Sequence, residues 1–347
     1  MSRITRRFVA AAGLMTAAAL VATGCTNSSG NEDEGGSTAN TATSNNDEPG
    51  KTVTIGFSGP SPDHGWLGAV TKAAKAEAAN YEDIELQVAE SSSDVNQQIS
   101  QVETFINDDV DAIVLLPIDG AALTAVALDA MEAGIPVVNV DREFNSPFAS
   151  RTTILGDNYG MGVSAGRYIC QQADGDKEAI VAEIAGIDSL PLTQDRSQGF
   201  EDALKDCGLD VDNRVSADFT PEGGERAASN LLQAAPKIDY LWNHDDDQGV
   251  GVMAAIESAG RDEFTMIGGA GSKNMMELIK ADNSVIKATV LYPHTQAADG
   301  IKLARLLAQG KAMADLVEVE VPRKIVLSAP VVTKENVDEY IDVAFES

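Results

Sequence analysis

An acid and an arginine, Asp141 and Arg142, directly follow the apolar run at residues 134–140. The run is short, rich in β-branched residues and entered through glycine and proline, which predicts a strand buried on both faces. Ligands of open parallel sheets bind beyond the carboxyl ends of the strands, so this pair is placed to meet one. A carboxylate accepts hydrogen bonds and a guanidinium donates several, which together suit a polyhydroxylated molecule. A structural ion pair at the strand end is the alternative.

Aromatic and imidazole side chains also lie at or next to strand-end loops. They are Trp66, Trp242, His64, His244 and His294. Aromatic faces suit the C–H faces of a sugar ring, and planar polar groups suit its hydroxyls. Core packing is the alternative for each tryptophan. The histidines beside Asp63, Asp141 and Asp245 could instead form a metal site, but the spacing of a dedicated zinc motif is missing and no metal is expected.

No group of residues in the sequence predicts catalysis. Gly160-x-Gly162 lies inside a helical pattern, and residues 269–271 lack the full spacing of a dinucleotide fingerprint. A Gly-x-Ser-x-Gly elbow is absent. The acidic run 245–247 is interpreted as a capping and ligand loop, so neither an enzyme nor a cofactor is expected.

Predicted strands and helices alternate from residue 52 and the alternation restarts after residues 152–155. This pattern is typical of parallel sheets covered by helices on both faces. Right-handed crossovers then bring every strand's carboxyl end to one edge. The sequence therefore predicts an α/β fold of two doubly wound parallel-sheet lobes.

Residues 1–24 read as a signal peptide, with a basic start, an Ala-rich apolar segment and small residues before Cys25. We expect Cys25 to be the lipidated N-terminus of the mature chain; an ordinary cleaved signal is the alternative. A partial twin-arginine pattern leaves the export route open. Residues 25–51 are polar and acidic, and are predicted to form a flexible tether to the membrane.

Charge and cysteine content agree with an exported protein. The 347 residues include 25 Lys and Arg against 54 Asp and Glu, a net charge of −29, which argues against nucleic-acid binding. An extracytoplasmic location, lipid-anchored to the cell membrane, is expected. In that oxidising compartment Cys170 and Cys207 are expected to form a disulfide bond.

Several segments resemble the periplasmic-binding-protein type I family, nearest to the ribose-binding and related sugar-binding proteins of ATP-driven importers. These segments are residues 135–142, 156–162, 195–200 and 243–249. The resemblance extends in order from residue 52 to the C-terminus. It implies two lobes joined by a three-strand hinge that clamp a sugar between them. Lobe one would comprise 52–156 plus about 293–321, and lobe two 157–292 plus about 322–347.

The same resemblance implies ligand positions. Asp141 and Arg142 fall on a pair that grips sugar hydroxyls, Arg196 on an arginine of the opposite lobe, and Phe219 and Trp66 on ring-contacting aromatics. Asp245 replaces an asparagine and Tyr292 a glutamine of the ribose binders. The expected substrate-binding residues are Asp63, His64, Trp66, Asp141, Arg142, Arg196, Phe219, Asp245 and Tyr292. Residues 268–271, Gly-Gly-Ala-Gly, stand where ribose binders have Gly-Phe-Asp-Gly, which argues against ribose itself.

The sequence thus predicts an extracytoplasmic solute-binding lipoprotein of an ABC importer. Its expected ligand is a monosaccharide or sugar alcohol, its expected partners are the permease subunits, and a monomer is expected. A sugar-sensing lipoprotein that uses the same cleft without transport is the alternative. The ligand domain of a transcription regulator is disfavoured, because a signal and tether stand where a DNA-binding helix-turn-helix would be.

Overall fold

The computed structural model describes residues 46–89, 92–313 and 320–347. Strands and helices alternate along these residues. The strands are β1 (Val53–Ser58), β2 (Ile84–Val88), β3 (Ala112–Leu115), β4 (Val137–Val140), β5 (Thr152–Gly156), β6 (Val181–Ala185), β7 (Asn213–Ser216), β8 (Tyr240–Asn243), β9 (Thr265–Ala270), β10 (Ile286–Leu291), β11 (Lys324–Leu327) and β12 (Val331–Thr333). The helices are α1 (Gly65–Ala78), α2 (Val95–Asn107), α3 (Gly120–Glu132), α4 (Asn158–Ala173), α5 (Pro191–Cys207), α6 (Pro221–Ala234), α7 (Asp246–Ala259), α8 (Lys273–Ala281) and α9 (Gln296–Ala308).

The strands form two six-stranded sheets. Sheet one has the order β11-β5-β4-β3-β1-β2, and sheet two has the order β12-β10-β9-β8-β6-β7. Neighbouring strands are parallel, except that β12 runs antiparallel to β10 at the edge of sheet two. Strands β3, β4 and β5 are buried along their whole length, as apolar runs between two helix layers should be. The predicted fold class of two parallel-sheet α/β lobes is confirmed.

Each sheet with its helices forms one lobe. Lobe one holds sheet one with α1, α2, α3 and α9; lobe two holds sheet two with α4 to α8. The chain passes between lobes after β5, β10 and β11. These crossings lie side by side, since Asp157 N donates to Leu327 O at 2.9 Å and Leu291 N to Pro330 O at 2.9 Å.

The last crossing falls later than the sequence placed it. Lys324–Leu327 was expected in lobe two, but it pairs with β5 as the edge strand of sheet one. The strand forms parallel backbone hydrogen bonds along the edge of β5. The final transfer to lobe two therefore follows Leu327 and not residue 321.

The end of the predicted tether is held against lobe one. The buried guanidinium of Arg305, on α9, donates to the carbonyl oxygens of Asn46 at 2.5 Å and Glu48 at 2.9 Å. It also binds both carboxylate oxygens of Asp83, each at 2.7 Å. Residues 46–51 thus belong to the folded part, whereas polar composition had placed them in the flexible segment. Cys25 and the signal peptide lie outside the described residues.

Two packed helices of lobe two carry the remaining cysteines. Cys170 is in α4 and Cys207 ends α5, and their sulfurs are bonded in the structure. The bond closes a loop with a sequence separation of 37 residues. The closed loop lowers the conformational entropy of the unfolded chain more than that of the folded chain, which stabilises the fold.

We expect the exported protein to contain this disulfide. Mass spectrometry of non-reduced peptides should recover Cys170 joined to Cys207, and replacing both with serine should lower the free energy of unfolding by about 2–4 kcal/mol. Recovery of two free thiols from exported protein would contradict the expectation.

Candidate functional site

The acid–arginine pair at the end of β4 lies between the lobes. Asp141 is buried and adopts a left-handed backbone with φ of 67°. Its Oδ1 accepts a hydrogen bond from Tyr292 Oη at 2.5 Å, and its Oδ2 lies 3.7 Å from Arg142 Nε. Arg142 Nη1 donates to the Ile118 carbonyl at 2.7 Å, whereas its buried Nε has no hydrogen-bond partner among the described residues. The pair therefore offers a ligand both an acceptor and a donor.

Arg196 approaches the same point from lobe two. Its Nε donates to Asn158 Oδ1 at 2.9 Å, and its guanidinium carbon lies 4.5 Å from the centre of the Tyr292 ring. Asn158 Nδ2 in turn lies 3.2 Å from Tyr292 Oη. Asp141, Tyr292, Asn158 and Arg196 thus form a continuous polar chain from lobe one to lobe two. The chain fixes the guanidinium plane at the cleft.

Sequence reasoning missed Asn158, which links Arg196 to Tyr292. It is the first residue of α4, and the preceding Asp157 caps that helix by accepting a hydrogen bond from Gly160 N at 2.7 Å. Its position directly after β5 was the available signal, because polar residues at that edge of a sheet face the ligand site.

The start of α1, in lobe one, is hydrogen-bonded to lobe two. Trp66 N donates to Asp247 Oδ2 at 2.8 Å, and Trp66 Nε1 donates to the Tyr292 carbonyl at 3.1 Å. The indole and phenol ring centres are 5.4 Å apart. Trp66 is buried. These contacts describe a closed cleft, and Asp247 is a second participant that sequence reasoning did not single out.

His64 lies beside the same acidic helix start. Its Nδ1 is 2.6 Å from Asp63 Oδ1. Burial lowers the pKa of His64, but the hydrogen bond to Asp63 and the charges of Asp245 and Asp247 outweigh it, so the pKa is raised above its usual range. These surroundings stabilise the positive form of the imidazole relative to a histidine in water.

Phe219 connects His64 to Arg196. Its ring centre is 6.3 Å from the His64 ring and 5.9 Å from the Arg196 guanidinium carbon. Its backbone is left-handed, with φ of 66°, and its N–H donates to Gln248 Oε1 at 3.2 Å. A bulky residue adopts this conformation at a cost, and such strain is concentrated at ligand sites.

The end of β9 and the residues after it account for the missing aromatic of the ribose binders. Asp246 accepts hydrogen bonds from Gly269 N, Gly271 N, Ser272 N and Thr289 Oγ1, at 2.8 to 3.0 Å. A Cβ at position 269 would collide with the His244 carbonyl oxygen. The end of β9 lies so close to the backbone of His244 that a large side chain at position 269 does not fit.

The imidazole rings of the other two histidines pack against aromatic side chains. His244 is fully buried, with its Nε2 2.8 Å from Glu183 Oε1 and its ring 4.1 Å from the Trp242 ring. His294 packs against Phe345. Trp242 is a buried core residue whose ring also contacts Phe200, with ring centres 4.7 Å apart. In the described part of the chain, no group of three or more His, Cys, Asp or Glu is arranged to hold a metal ion.

A cavity of about 430 Å³ opens between the lobes beside Asp141 and Arg142. Its lobe-two wall includes Asn158, Tyr159 and Asp195. This volume falls within the range of small-molecule sites. Of the other expected ligand residues, Trp66, Arg196, Phe219, Asp245 and Tyr292 are buried, and Asp63 is exposed.

The structure brings all nine expected residues into one neighbourhood. Ring contacts, hydrogen bonds or ion pairs connect eight of them: Asp63, His64, Phe219, Arg196, Tyr292, Trp66, Asp141 and Arg142. Asp245 is linked to them through Asp247, whose N–H donates to Asp245 and whose carboxylate accepts from Trp66 N. The site thus contains the aromatic rings of Trp66, Phe219 and Tyr292 together with acidic and basic side chains.

Comparisons with known proteins agree with this architecture. The profile of a family described as periplasmic binding protein domain matches residues 55–312. The ribose import binding protein of Bacillus subtilis is 30% identical over 257 residues, covering 72% of this chain and 82% of that protein. The galactofuranose-binding protein of Escherichia coli is 30% identical over 214 residues, covering 60% and 67% respectively.

Solved structures are similar over most of the chain. A solute-binding protein of an ABC transporter from Bacillus halodurans with bound myo-inositol has a TM-score of 0.73 and 25% identity, covering 85% of this chain and 98% of that one. One from Mycobacterium smegmatis with bound glycerol has a TM-score of 0.74 and 26% identity, covering 84% and 97%.

Among the described residues, no helix has the length and apolar character needed to span a membrane.

Proposed function

The chain belongs to the periplasmic binding protein domain family, and we propose that it is an extracytoplasmic solute-binding protein of an ABC importer. Its ligand in this proposal is a monosaccharide or sugar alcohol held between the two lobes. The observation that carries the proposal is the polar chain from Asp141 through Tyr292 and Asn158 to Arg196. The relatives that bind ribose, galactofuranose and myo-inositol support this ligand class.

Each lobe supplies complementary groups to such a ligand. Asp141 accepts and Arg142 Nε donates from lobe one, while Arg196 donates and Asp245 accepts from lobe two. The rings of Trp66 and Phe219 supply apolar surface for the C–H groups. Nothing in this arrangement requires bond-making chemistry, so the site is proposed to bind and not to catalyse.

Hinge closure is the proposed mechanism. A ligand that needs donors and acceptors from both lobes gains its full set of hydrogen bonds only in the closed form, and so shifts the population towards that form. The closed form then docks on the permease and delivers the ligand. A sensing lipoprotein would use the same closure to signal without transport.

A thermal-shift screen of pentoses, hexoses and polyols on the purified protein tests the ligand class. A ligand at 100 times its Kd adds about 2.7 kcal/mol to the free energy of unfolding, which raises the melting temperature measurably. A clear shift with at least one sugar or polyol is expected. No shift with any of them, together with a shift for a peptide, amino acid or nucleoside, would refute the proposal.

Replacing Gly65 with alanine is expected to hinder closure. A Cβ at this first residue of α1 would lie 2.6 Å from Asp247 Oδ1 and would also overlap the backbone oxygen of Glu346 in lobe two. Overpacking of this kind costs about 1–3 kcal/mol, and the clash exists only when the lobes are closed. Ligand affinity should therefore fall about tenfold or more while the melting temperature of the open, ligand-free protein stays close to wild type.

Gly68→Ala is the matched control on the same helix. There the nearest atom to an added Cβ is Pro62 Cβ at 3.6 Å, an ordinary contact. Calorimetric titration of both variants decides the matter. Equal affinities for Gly65→Ala and Gly68→Ala would show that binding does not need the closed interface.

Membrane attachment through Cys25 is the remaining part of the proposal. Small residues precede Cys25 and a polar segment follows it. Cys25→Ser should release the protein into the medium or leave an unprocessed precursor, as fractionation and intact-mass measurement would reveal. A variant that stays processed and membrane-bound would contradict lipid anchoring.

A further inference from the structure

Helix α7 begins with three consecutive buried aspartates. Asp245, Asp246 and Asp247 are 5%, 0% and 2% exposed. Asp246 is satisfied, because four donors occupy both of its oxygens. Asp245 and Asp247 have no cationic partner within 4.0 Å among the described residues. Asp245 and Asp247 are therefore buried carboxylates that interact with His64 but form no ion pair with any residue that the structure describes.

Asp245 has a free acceptor. Its Oδ1 accepts the N–H groups of Asp247 at 2.8 Å and Gln248 at 3.3 Å, which caps the helix. No hydrogen bond to its Oδ2 is present in the described part of the chain. Asp247 Oδ2 accepts from Trp66 N, and its buried Oδ1 likewise has no hydrogen-bond partner there.

The nearby cations are engaged elsewhere. Arg196 Nε is hydrogen-bonded to Asn158, and Arg142 Nη1 to the Ile118 carbonyl. His64 Nδ1 is hydrogen-bonded to Asp63. None of the three forms an ion pair with the aspartates at the start of α7.

The electrostatic surroundings of Asp245 are unfavourable to its charge. Burial and the neighbouring charge of Asp247 raise the pKa of Asp245 to about 6, against the lowering effects of His64 and Arg196. A buried carboxylate of this kind is stabilised when a positive charge reaches it with good geometry. A hydroxyl group can donate to the same oxygen but adds no positive charge beside it.

We propose that the ligand carries a positively charged amino group, which donates to Asp245 Oδ2 when the lobes close. This inference rests on the proposed function and narrows its ligand class to an amino sugar or amino polyol. Hydroxyls of the same ligand would meet Asp141, Arg142 and Arg196. The aspartate at 245 is then the residue that selects the amine.

Matched pairs of compounds test the inference by calorimetry at pH 7.5. Each pair differs by one amino group: D-glucosamine and D-glucose, D-galactosamine and D-galactose, glucamine and sorbitol, serinol and glycerol. N-acetyl-D-glucosamine adds a member with the nitrogen but without its charge. In at least one pair the amine should bind about tenfold more tightly or better, as expected for a charge-assisted hydrogen bond.

The variant Asp245→Asn tests whether Asp245 causes the preference for the amine. Asparagine also caps helices well, so α7 should be retained. The variant should lose about tenfold more affinity for the amine than for its neutral partner, so that the preference for the amine disappears. Asp282→Asn, an exposed site paired with Lys287 in lobe two, should change neither affinity.

The outcomes separate this inference from the proposed function. If sugars or polyols bind and the neutral member is equal or better in every pair, the amine is refuted and the proposed function stands. If amines are preferred but Asp245→Asn keeps the preference, the assignment to Asp245 is refuted. If no compound of either kind binds, both proposals fail.

Discussion

Arg196→Ala should weaken binding of the identified ligand by about a hundredfold or more. The guanidinium is buried, donates to Asn158 at 2.9 Å and to the His244 carbonyl at 3.2 Å, and lies over the Tyr292 ring. Truncating one partner of a buried, hydrogen-bonded charge network typically costs 2–5 kcal/mol or more in binding, since the remaining partners lose their donor. Calorimetric titration of the variant measures the loss.

Lys205→Ala is the control for this substitution. Lys205 lies on the same helix, α5, and forms an exposed pair with Glu201 at 3.3 Å. Its removal should leave affinity unchanged, because exposed pairs contribute little. Arg196→Lys should recover only part of the affinity, since lysine keeps the charge but not the planar fork. Unaltered binding by Arg196→Ala would mean that the ligand lies elsewhere.

Arg305→Met should lower the free energy of unfolding by about 3–5 kcal/mol. Arg305 binds both oxygens of Asp83 and holds the chain at Asn46 and Glu48, with both members of the ion pair buried. Removing one member leaves an uncompensated buried charge. Chemical denaturation of wild type and variant gives the difference. Lys302→Met on the same helix, which removes an exposed lysine paired with Glu77 at 3.4 Å, should cost at most about 1 kcal/mol.

The effect of Arg305 should depend on pH. Its hydrogen bonds lower the pKa of Asp83 well below the usual range, against the opposing effect of burial. A lowered pKa contributes stability that is present above the ordinary aspartate pKa near 4 and is lost as pH falls through the folded value. The gap between wild type and Arg305→Met should therefore narrow below about pH 4. A gap that stays constant from pH 7 to pH 3 would contradict an electrostatic origin.

Strand-end reasoning could place Asp141 and Arg142 at the edge of the sheet because it uses local sequence alone. The apolar run before Asp141 indicates a buried strand, and the rules of parallel sheets then place the acid and Arg142 at the ligand edge. The structure has β4 ending at Val140 with both side chains between the lobes. Alternation of strands and helices gave the two lobes in the same way.

Local sequence patterns did not predict the contacts between residues that are far apart in the sequence. Trp66 meets Asp247 over 181 residues, and Arg305 meets Asn46 over 259. Nothing near Asn46 predicts that its carbonyl will meet a guanidinium, so composition alone assigned residues 46–51 to a flexible segment. Likewise, composition cannot show which of the aspartates 245–247 serves the fold and which faces lobe one.

The position of Trp66 makes the intrinsic fluorescence of the protein sensitive to lobe movement. The chain has only two tryptophans, and Trp242 is enclosed in the core of lobe two. Trp66, in contrast, donates its indole N–H to the Tyr292 carbonyl and its backbone N–H to Asp247 across the cleft. Separation of the lobes would expose this indole to water and shift its emission to longer wavelength, while Trp242 would supply a constant background. Lobe movement can therefore be followed in real time by intrinsic fluorescence, without attaching a dye to the protein.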